Sequence, residues 1–321
     1  VRSVRYRAHG GPEVLQYDEV PVPEPGEGQV LIEVDAIGAN FIDTVLRRGS
    51  EAFPRPLPGT LTGEVVGRVT ALGKGAGSVA VGDRVAALSE DAFADYVVAD
   101  AQWLAPVPDD GDAGEATVLA MTAPLALRLL RQARLSPGET VLVQAAAGGT
   151  GHLLVQLAKA LGAQTVIGTA SSAKKLDFVR EQGADFAIDS SDPTWPEQVR
   201  ATAPNGVDVV LDAVGGAVFD HGMDLLAPLG RMVTYGAVGG TLPSVPAPAL
   251  FTMKSVTGLS FVAWRAARPD EAAADLVDAA GYWSAGTVRT AVHAVFPLAE
   301  ARAVHELLER REHLGLVVAV P

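Results

Sequence analysis

Val141-Leu142-Val143-Gln144-Ala145-Ala146-Ala147-Gly148-Gly149-Thr150-Gly151-His152-Leu153-Leu154-Val155 is the stretch on which the fold turns. Val141 to Ala145 reads as a short buried strand, Ala145 to Gly151 as a glycine-rich turn, and Gly151 to Leu161 as a helix. Dinucleotide binding needs that order. Glycines let the backbone approach a pyrophosphate, and the helix N-terminus offers free N–H groups with a partial positive charge. The competing reading is a structural tight turn. The usual fingerprint begins with glycine, and that position here is Ala146. The residues expected to meet the phosphates are Ala147, Gly148, Gly149 and Thr150.

Downstream the alternation continues. Val166-Ile167-Gly168-Thr169 predicts a second strand, Ala173 to Gln182 a helix, and Phe186 to Asp189 a third strand. Asp208 to Asp212 and Arg231 to Tyr235 follow as strands, each near a helical segment. Such alternation predicts a doubly wound parallel sheet covered on both faces. The cofactor is read from the end of the second strand, where an NAD enzyme carries Asp or Glu for the ribose 2′-hydroxyl. Here the stretch is Gly168-Thr169-Ala170-Ser171-Ser172-Ala173-Lys174-Lys175, without an acid. Ser171 and Lys175 suit a 2′-phosphate, which predicts NADPH. The alternative is that the lysines merely open a solvated helix.

Before residue 120 the chain reads as strands and turns. Val30 to Ile37 and Val65 to Leu72 are strands, and Pro21, Pro23, Pro25 and Pro54, Pro56, Pro58 cut the rest into short pieces. The tail predicts helices at Glu271–Ala280 and Glu300–Arg310 and a last strand at Leu316–Val320 that rejoins the N-terminal part. Lengths and composition fit two domains: 321 residues, 48% hydrophobic. The net charge of −13 argues against nucleic acid as a partner. There is no cysteine, hence no thiolate zinc site and no cysteine nucleophile. No apolar run reaches the length of a membrane helix, and the reading is a soluble, cytoplasmic protein with no membrane partner.

Ala145 to Ala163 resembles the quinone oxidoreductase (zeta-crystallin-like) branch of the zinc-independent medium-chain dehydrogenase/reductase superfamily. Gly10 to Leu15, Ala36 to Thr44, Glu64 to Gly73, Gly82 to Val85, and Phe296-Pro297-Leu298 with His305, Glu306 and Gly315 agree with it in order. The resemblance implies an α/β architecture. A discontinuous groES-like β-rich catalytic domain (1–121 and 260–321) surrounds a Rossmann NADP-binding domain (122–259), with the active site in the cleft between them. It implies that Asn40 faces the nicotinamide and that Ser171, Lys175 and Arg311 gather near the adenosine phosphate. Ser190 replaces a family tyrosine there. Tyr235, Gly236 and Phe261 occupy stretches near the nicotinamide or substrate. Relatives pair through Rossmann edges, so a homodimer is expected, with Pro243–Pro248 capping such an edge.

The departures bear on the chemistry. Positions that hold catalytic zinc in metal-dependent relatives read Asn40, Val45 and Gly63, which make no metal site. Tyrosines found in the branch at Val45 and near Glu51 are absent, and a family threonine is Leu125. Glu64 is expected to be structural, Asp43 to cap or position a loop rather than serve as a general acid, His152 to be exposed rather than to touch the cofactor phosphates, and Trp195 to anchor a loop. Asn40 is the catalytic candidate, orienting the nicotinamide or donating a hydrogen bond to the acceptor oxygen; otherwise it caps the turn before Phe41. Three functions compete. The first is an NADPH-dependent quinone oxidoreductase. The second is an enone or enoyl-thioester reductase, which a basic groove would support; Arg47, Arg48 and Arg55 are either that groove or surface charges. The third is a non-catalytic NADPH-binding protein.

Overall fold

Runs rich in Val and Ile alternate with helical periods through the middle of the chain, which favours strands flanked by helices. The computed structural model describes residues 1–50, 54–77 and 79–321. In chain order the first strands are β1 (Arg2–Tyr6), β2 (Leu15–Glu19), β3 (Gln29–Gly38), β4 (Gly59–Thr60), β5 (Gly63–Leu72), β6 (Arg84–Ser89), β7 (Tyr96–Asp100) and β8 (Ala105–Pro106). Then come β9 (Thr140–Val143), β10 (Thr165–Ala170), β11 (Phe186–Asp189), β12 (Val207–Asp212), β13 (Leu226–Thr234), β14 (Ser255–Gly258), β15 (Val292–Pro297) and β16 (Leu316–Val320). The helices are α1 (Phe41–Arg48), α2 (Ala113–Ala116), α3 (Thr122–Gln132), α4 (Gly149–Ala160) and α5 (Ala173–Glu181). They continue with α6 (Trp195–Thr202), α7 (Gly216–Leu225), α8 (Phe261–Ala267), α9 (Pro269–Ser284) and α10 (Ala301–Arg310). Two units result: Val1–Thr122 with Thr290–Pro321, and Ala123–Arg289. Among the described residues no single helix is long and apolar enough to cross a bilayer.

The first unit is built on a largely antiparallel sheet in the order β15-β16-β3-β5-β6-β8, with β7 also on β3, and a smaller sheet β2-β1-β4. Val30, Ile32, Val65, Phe93 and Val317 are fully buried in its core. Burial of each such side chain stabilises by roughly 1.5–3 kcal/mol. The tail does rejoin this unit: Val318 and Ala319 of β16 pair with Gly38 and Ile37 of β3. Arg47 ties both ends of the chain together without exposure to solvent. Its guanidinium meets the Gly10 carbonyl (3.2 Å), His305 Nδ1 (3.0 Å) and the Glu309 carboxylate. Burial, then the Arg47 charge, push His305 down to about 3, so it stays neutral and accepts.

The second unit is a six-stranded parallel sheet in the order β11-β10-β9-β12-β13-β14. Winding reverses between β9 and β12, and ligands of such sheets bind at the carboxyl ends of strands at that point. Val141, Leu142, Val143, Val209, Val210 and Leu211 are all buried, as a sheet covered on both faces requires.

The structure moves one boundary. Residues 260–289, expected in the catalytic domain, lie with the parallel sheet. Apolar burial of Ala272, Leu276 and Ala279 and a set of ion pairs to α3 tie α9 there. Buried Asp275 on α9 receives Arg128 (3.1 Å) and Arg131 (2.6 Å) from α3, and Arg131 also reaches Asp278 (2.5 Å). The Arg128 guanidinium lies 4.4 Å from the Trp264 ring. Removing one partner of a buried pair like this costs about 3–5 kcal/mol. Trp195 is also reassigned: it opens α6, is buried, and packs edge-on against His221.

Candidate dinucleotide site and the Asn40 cluster

The expected strand, turn and helix form as β9, residues 144–148 and α4. Gln144 anchors the turn from below, its amide donating to the Val218 carbonyl (2.9 Å). Ala145 then adopts φ 53, a left-handed conformation that costs a non-glycine residue about 1 kcal/mol. Its carbonyl accepts from Gly148 N (3.1 Å), and Ala146 N donates to Thr169 O (2.9 Å), fastening the turn to β10. The residue that needs positive φ is thus Ala145, one before the fingerprint's first position. Gly148 is the N-cap of α4 and no side chain caps the helix, so the first-turn donors face outward with the positive end of the dipole. Gly148, Gly149 and Thr150 are half-buried and Ala147 is buried, at the carboxyl edge of β9. This cradle fits a pyrophosphate.

At the end of β10, Ser171 and Ser172 are exposed and Lys175 is half-buried in the first turn of α5. Asp189, in register with Ala170, is turned onto Ser191 N (2.9 Å) and Oγ (2.6 Å). Ser190 donates from N (2.8 Å) and Oγ (3.2 Å) to the Ala170 carbonyl, so its hydroxyl joins β10 to β11. Tyr235 follows β13 at the same edge. Its N–H donates to Asp212 O (2.9 Å), and burial, then Asp212, raise its phenol above the ordinary range. Gly236 passes close to Ala213, whose carbonyl would lie 3.1 Å from an added Cβ. Phe261 is buried in the first turn of α8.

Two residues of this site were misread or missed. His152, expected at the surface, is wholly buried, because α4 is covered on nearly every face rather than along one stripe. Burial lowers its pKa to about 4 against the pull of the Gly148 and Gly149 carbonyls. Asp212 is buried at the end of β12 and accepts from Val214 N (2.9 Å), Gly215 N (3.1 Å) and Thr234 Oγ1 (2.9 Å). An acid closing an apolar strand just before Val214-Gly215-Gly216 was its signal.

In the first unit, Asn40 is the N-cap of α1 by position but its side chain makes no capping bond. Its amide lies toward Glu64 and helps hold that carboxylate's pKa down, although the buried Nδ2 closes no hydrogen bond of full geometry. Glu64 is buried and accepts from Met121 N (2.9 Å), Thr122 N (2.6 Å) and Thr122 Oγ1 (2.6 Å). It is the cap at the start of α3. Asp43 is buried and accepts from Thr62 N (2.8 Å) and Oγ1 (3.0 Å), fixing the chain between β4 and β5. Arg311 ends α10 at φ 55 with its guanidinium 5.6 Å from the Phe41 ring. Zinc does not fit: a Cβ on Gly63 would sit 3.0 Å from Ala92 Cβ and 3.1 Å from Gly38 O, and Val45 has no donor atom. Among the described residues no three His, Cys, Asp or Glu side chains form a metal-holding group. Position 51 lies outside the described residues.

Burial drives both carboxyls up to about 7, against their hydrogen bonds. Each folded group therefore holds its proton at a pH where the unfolded chain has released it. Its stabilising contribution is full below the unfolded value and is lost as pH rises through 7. His152 and His305 act oppositely, but only below about pH 6.5. Between about pH 6.5 and 8 the unfolding free energy is expected to fall by about 1.5 kcal/mol, and Glu64→Gln to halve that slope in urea titrations. An equal slope in both proteins would refute the assignment.

Residues 26–109 match the model of the alcohol dehydrogenase GroES-like domain, and residues 149–278 that of the zinc-binding dehydrogenase. The chain is 35% identical to a quinone oxidoreductase of Pseudomonas aeruginosa, covering all of this chain and 99% of the relative. It is 34% identical to a 2-haloacrylate reductase of a Burkholderia species over 97% and 96% of the two. The crystal structure of the Escherichia coli quinone oxidoreductase complexed with NADPH superposes with a TM-score of 0.89 at 30% identity, covering both chains completely.

Proposed function

The chain belongs to the quinone oxidoreductase branch of the medium-chain dehydrogenase/reductase superfamily and is an NADPH-dependent oxidoreductase of small molecules; we propose that its acceptor is a quinone. The observation that carries the cofactor assignment is the acid-free end of β10 beside an uncapped, glycine-turned helix start. Ala147 to Thr150 hold the pyrophosphate, and Ser171 and Lys175 the 2′-phosphate. NADPH supplies the hydride. Reduction of an isolated ketone would leave an alkoxide, whose conjugate acid has a pKa of roughly 16, and enzymes of that kind recruit a Lewis acid. A quinone yields a phenol-like anion, whose conjugate acid has a pKa of about 10, without one. The donor set around Asn40 and Gly63 suits the second case. Asn40 is the residue we assign to the acceptor oxygen, as a neutral donor lying toward Glu64. Water then protonates the product.

Conjugated carbon–carbon double bonds are the second reading, favoured by the haloacrylate reductase relative. Its thioester form is less well supported, because the three arginines proposed for a basic groove are engaged elsewhere. Arg47 is buried on His305 and Glu309, Arg48 pairs with Glu309 (2.9 Å), and Arg55 with Glu90 (2.7 Å). Consumption of NADPH, followed by nicotinamide absorbance, tests the assignment with ortho- and para-quinones, haloacrylates and enones, and NADH as control. Rapid quinone turnover with NADPH is expected. Turnover of the acrylates alone would replace the quinone by an enone, and binding without turnover of any acceptor would favour a non-catalytic protein. A homodimer through the β14 edge, flanked by exposed Phe251 and Met253, is the proposed assembly, to be read by light scattering.

A further inference from the structure

We propose that His152 is a positioning residue for the cofactor's pyrophosphate: its ring holds the Gly148 carbonyl and so aims the Gly149 N–H. The assignment rests on the cofactor reading above. His152 Nδ1 lies 3.0 Å from Gly148 O, which also accepts from His152 N at 3.1 Å. Because a carbonyl accepts, Nδ1 carries the proton. The carbonyl of Gly148 and the N–H of Gly149 belong to one trans peptide and point in opposite directions. Two donors on the carbonyl draw it along the axis of α4, and the N–H is thereby directed out beyond the helix start.

The ring has no freedom to do otherwise. It is wholly buried, and the Phe178 ring of α5 packs against it with centroids 6.1 Å apart. The His152 main chain is itself held one turn on, where Gln156 Nε2 donates to its carbonyl (3.2 Å) and to Arg289 O (2.9 Å). An ordinary core position on so buried a helix calls for leucine, as at Leu153, Leu154 and Leu157. A polar ring there brings what leucine lacks, a donor at the N-cap carbonyl.

The test compares two nucleotides and two variants in the full chain. NADPH spans the turn, whereas 2′-AMP occupies only the adenosine phosphate end. His152→Leu is expected to raise the Kd for NADPH by about 5- to 10-fold, the loss of one neutral hydrogen bond. It should leave 2′-AMP unchanged, and His152→Asn, which keeps a donor near the Nδ1 position, should restore NADPH to within about twofold. Equal NADPH affinity in wild type and His152→Leu would overturn the role. So would parallel loss of both nucleotides, or failure of both variants to fold, since each would make His152 a packing residue. A wild-type chain that takes up neither nucleotide would overturn the cofactor reading and His152's role together.

Discussion

Gly151→Ala is expected to weaken NADPH binding by at least about 30-fold and to destabilise the fold by about 2–3 kcal/mol. The added methyl would lie 2.3 Å from Ala145 O, 2.8 Å from Ala146 Cα and 2.9 Å from Ala146 C. All three are backbone atoms of the turn, so no side chain is available to swing aside. Relief requires the start of α4 to withdraw from β9, which carries the phosphate donors with it. Gly148→Ala separates the two effects. Its methyl would meet only Ala145 O, at 3.4 Å, an ordinary contact within the protein. That variant should keep its melting midpoint and lose affinity alone, because the space it fills is the one proposed for the pyrophosphate. Cofactor titration by fluorescence beside thermal unfolding distinguishes them; a Gly151→Ala protein with wild-type affinity would mean that the phosphates lie elsewhere.

Ser171→Asp is expected to lower the preference for NADPH over NADH by about 100-fold, a change of about 2.7 kcal/mol. A carboxylate just beyond the end of β10 repels a 2′-phosphate and accepts from a 2′-hydroxyl. In the wild type Asp189, across the register from Ala170, is already turned onto Ser191. The ratio of kcat/KM for the two cofactors is the measurement. A ratio within threefold of wild type would remove Ser171 from the phosphate site.

Much of this architecture is legible from residue order. β11 and β16 fall where the apolar runs place them, and α4 lies within two residues of its expected bounds. Periodicity reads such elements because neighbours in sequence determine them. It does not read partners far apart along the chain. Nothing local in residues 260–289 announces that Asp275 answers Arg128 and Arg131, ion pairs that tie the segment to α3 of the second unit. His152 failed for a related reason: exposure depends on how many elements cover a helix, and α4 is covered on more than one side. Asn40 was legible as a candidate, but its side chain leaves the N-cap role unfilled, which depends on its neighbours in space rather than in sequence.

The pairing of β16 with β3 has a consequence for biosynthesis. A ribosome delivers Ile37 and Gly38 of β3 some 280 residues before their partners on β16, and Arg47 similarly waits for His305 and Glu309. The second unit, by contrast, is one uninterrupted segment whose sheet can close while the tail is still being translated. The nascent chain therefore carries an unfinished β-structure, with an unpaired strand edge and an unneutralised arginine, on the N-terminal side of a unit able to form first. Chaperone demand should concentrate on that waiting N-terminal portion, and pulse-labelled intermediates should protect β9 to β13 before the seam between β3 and β16.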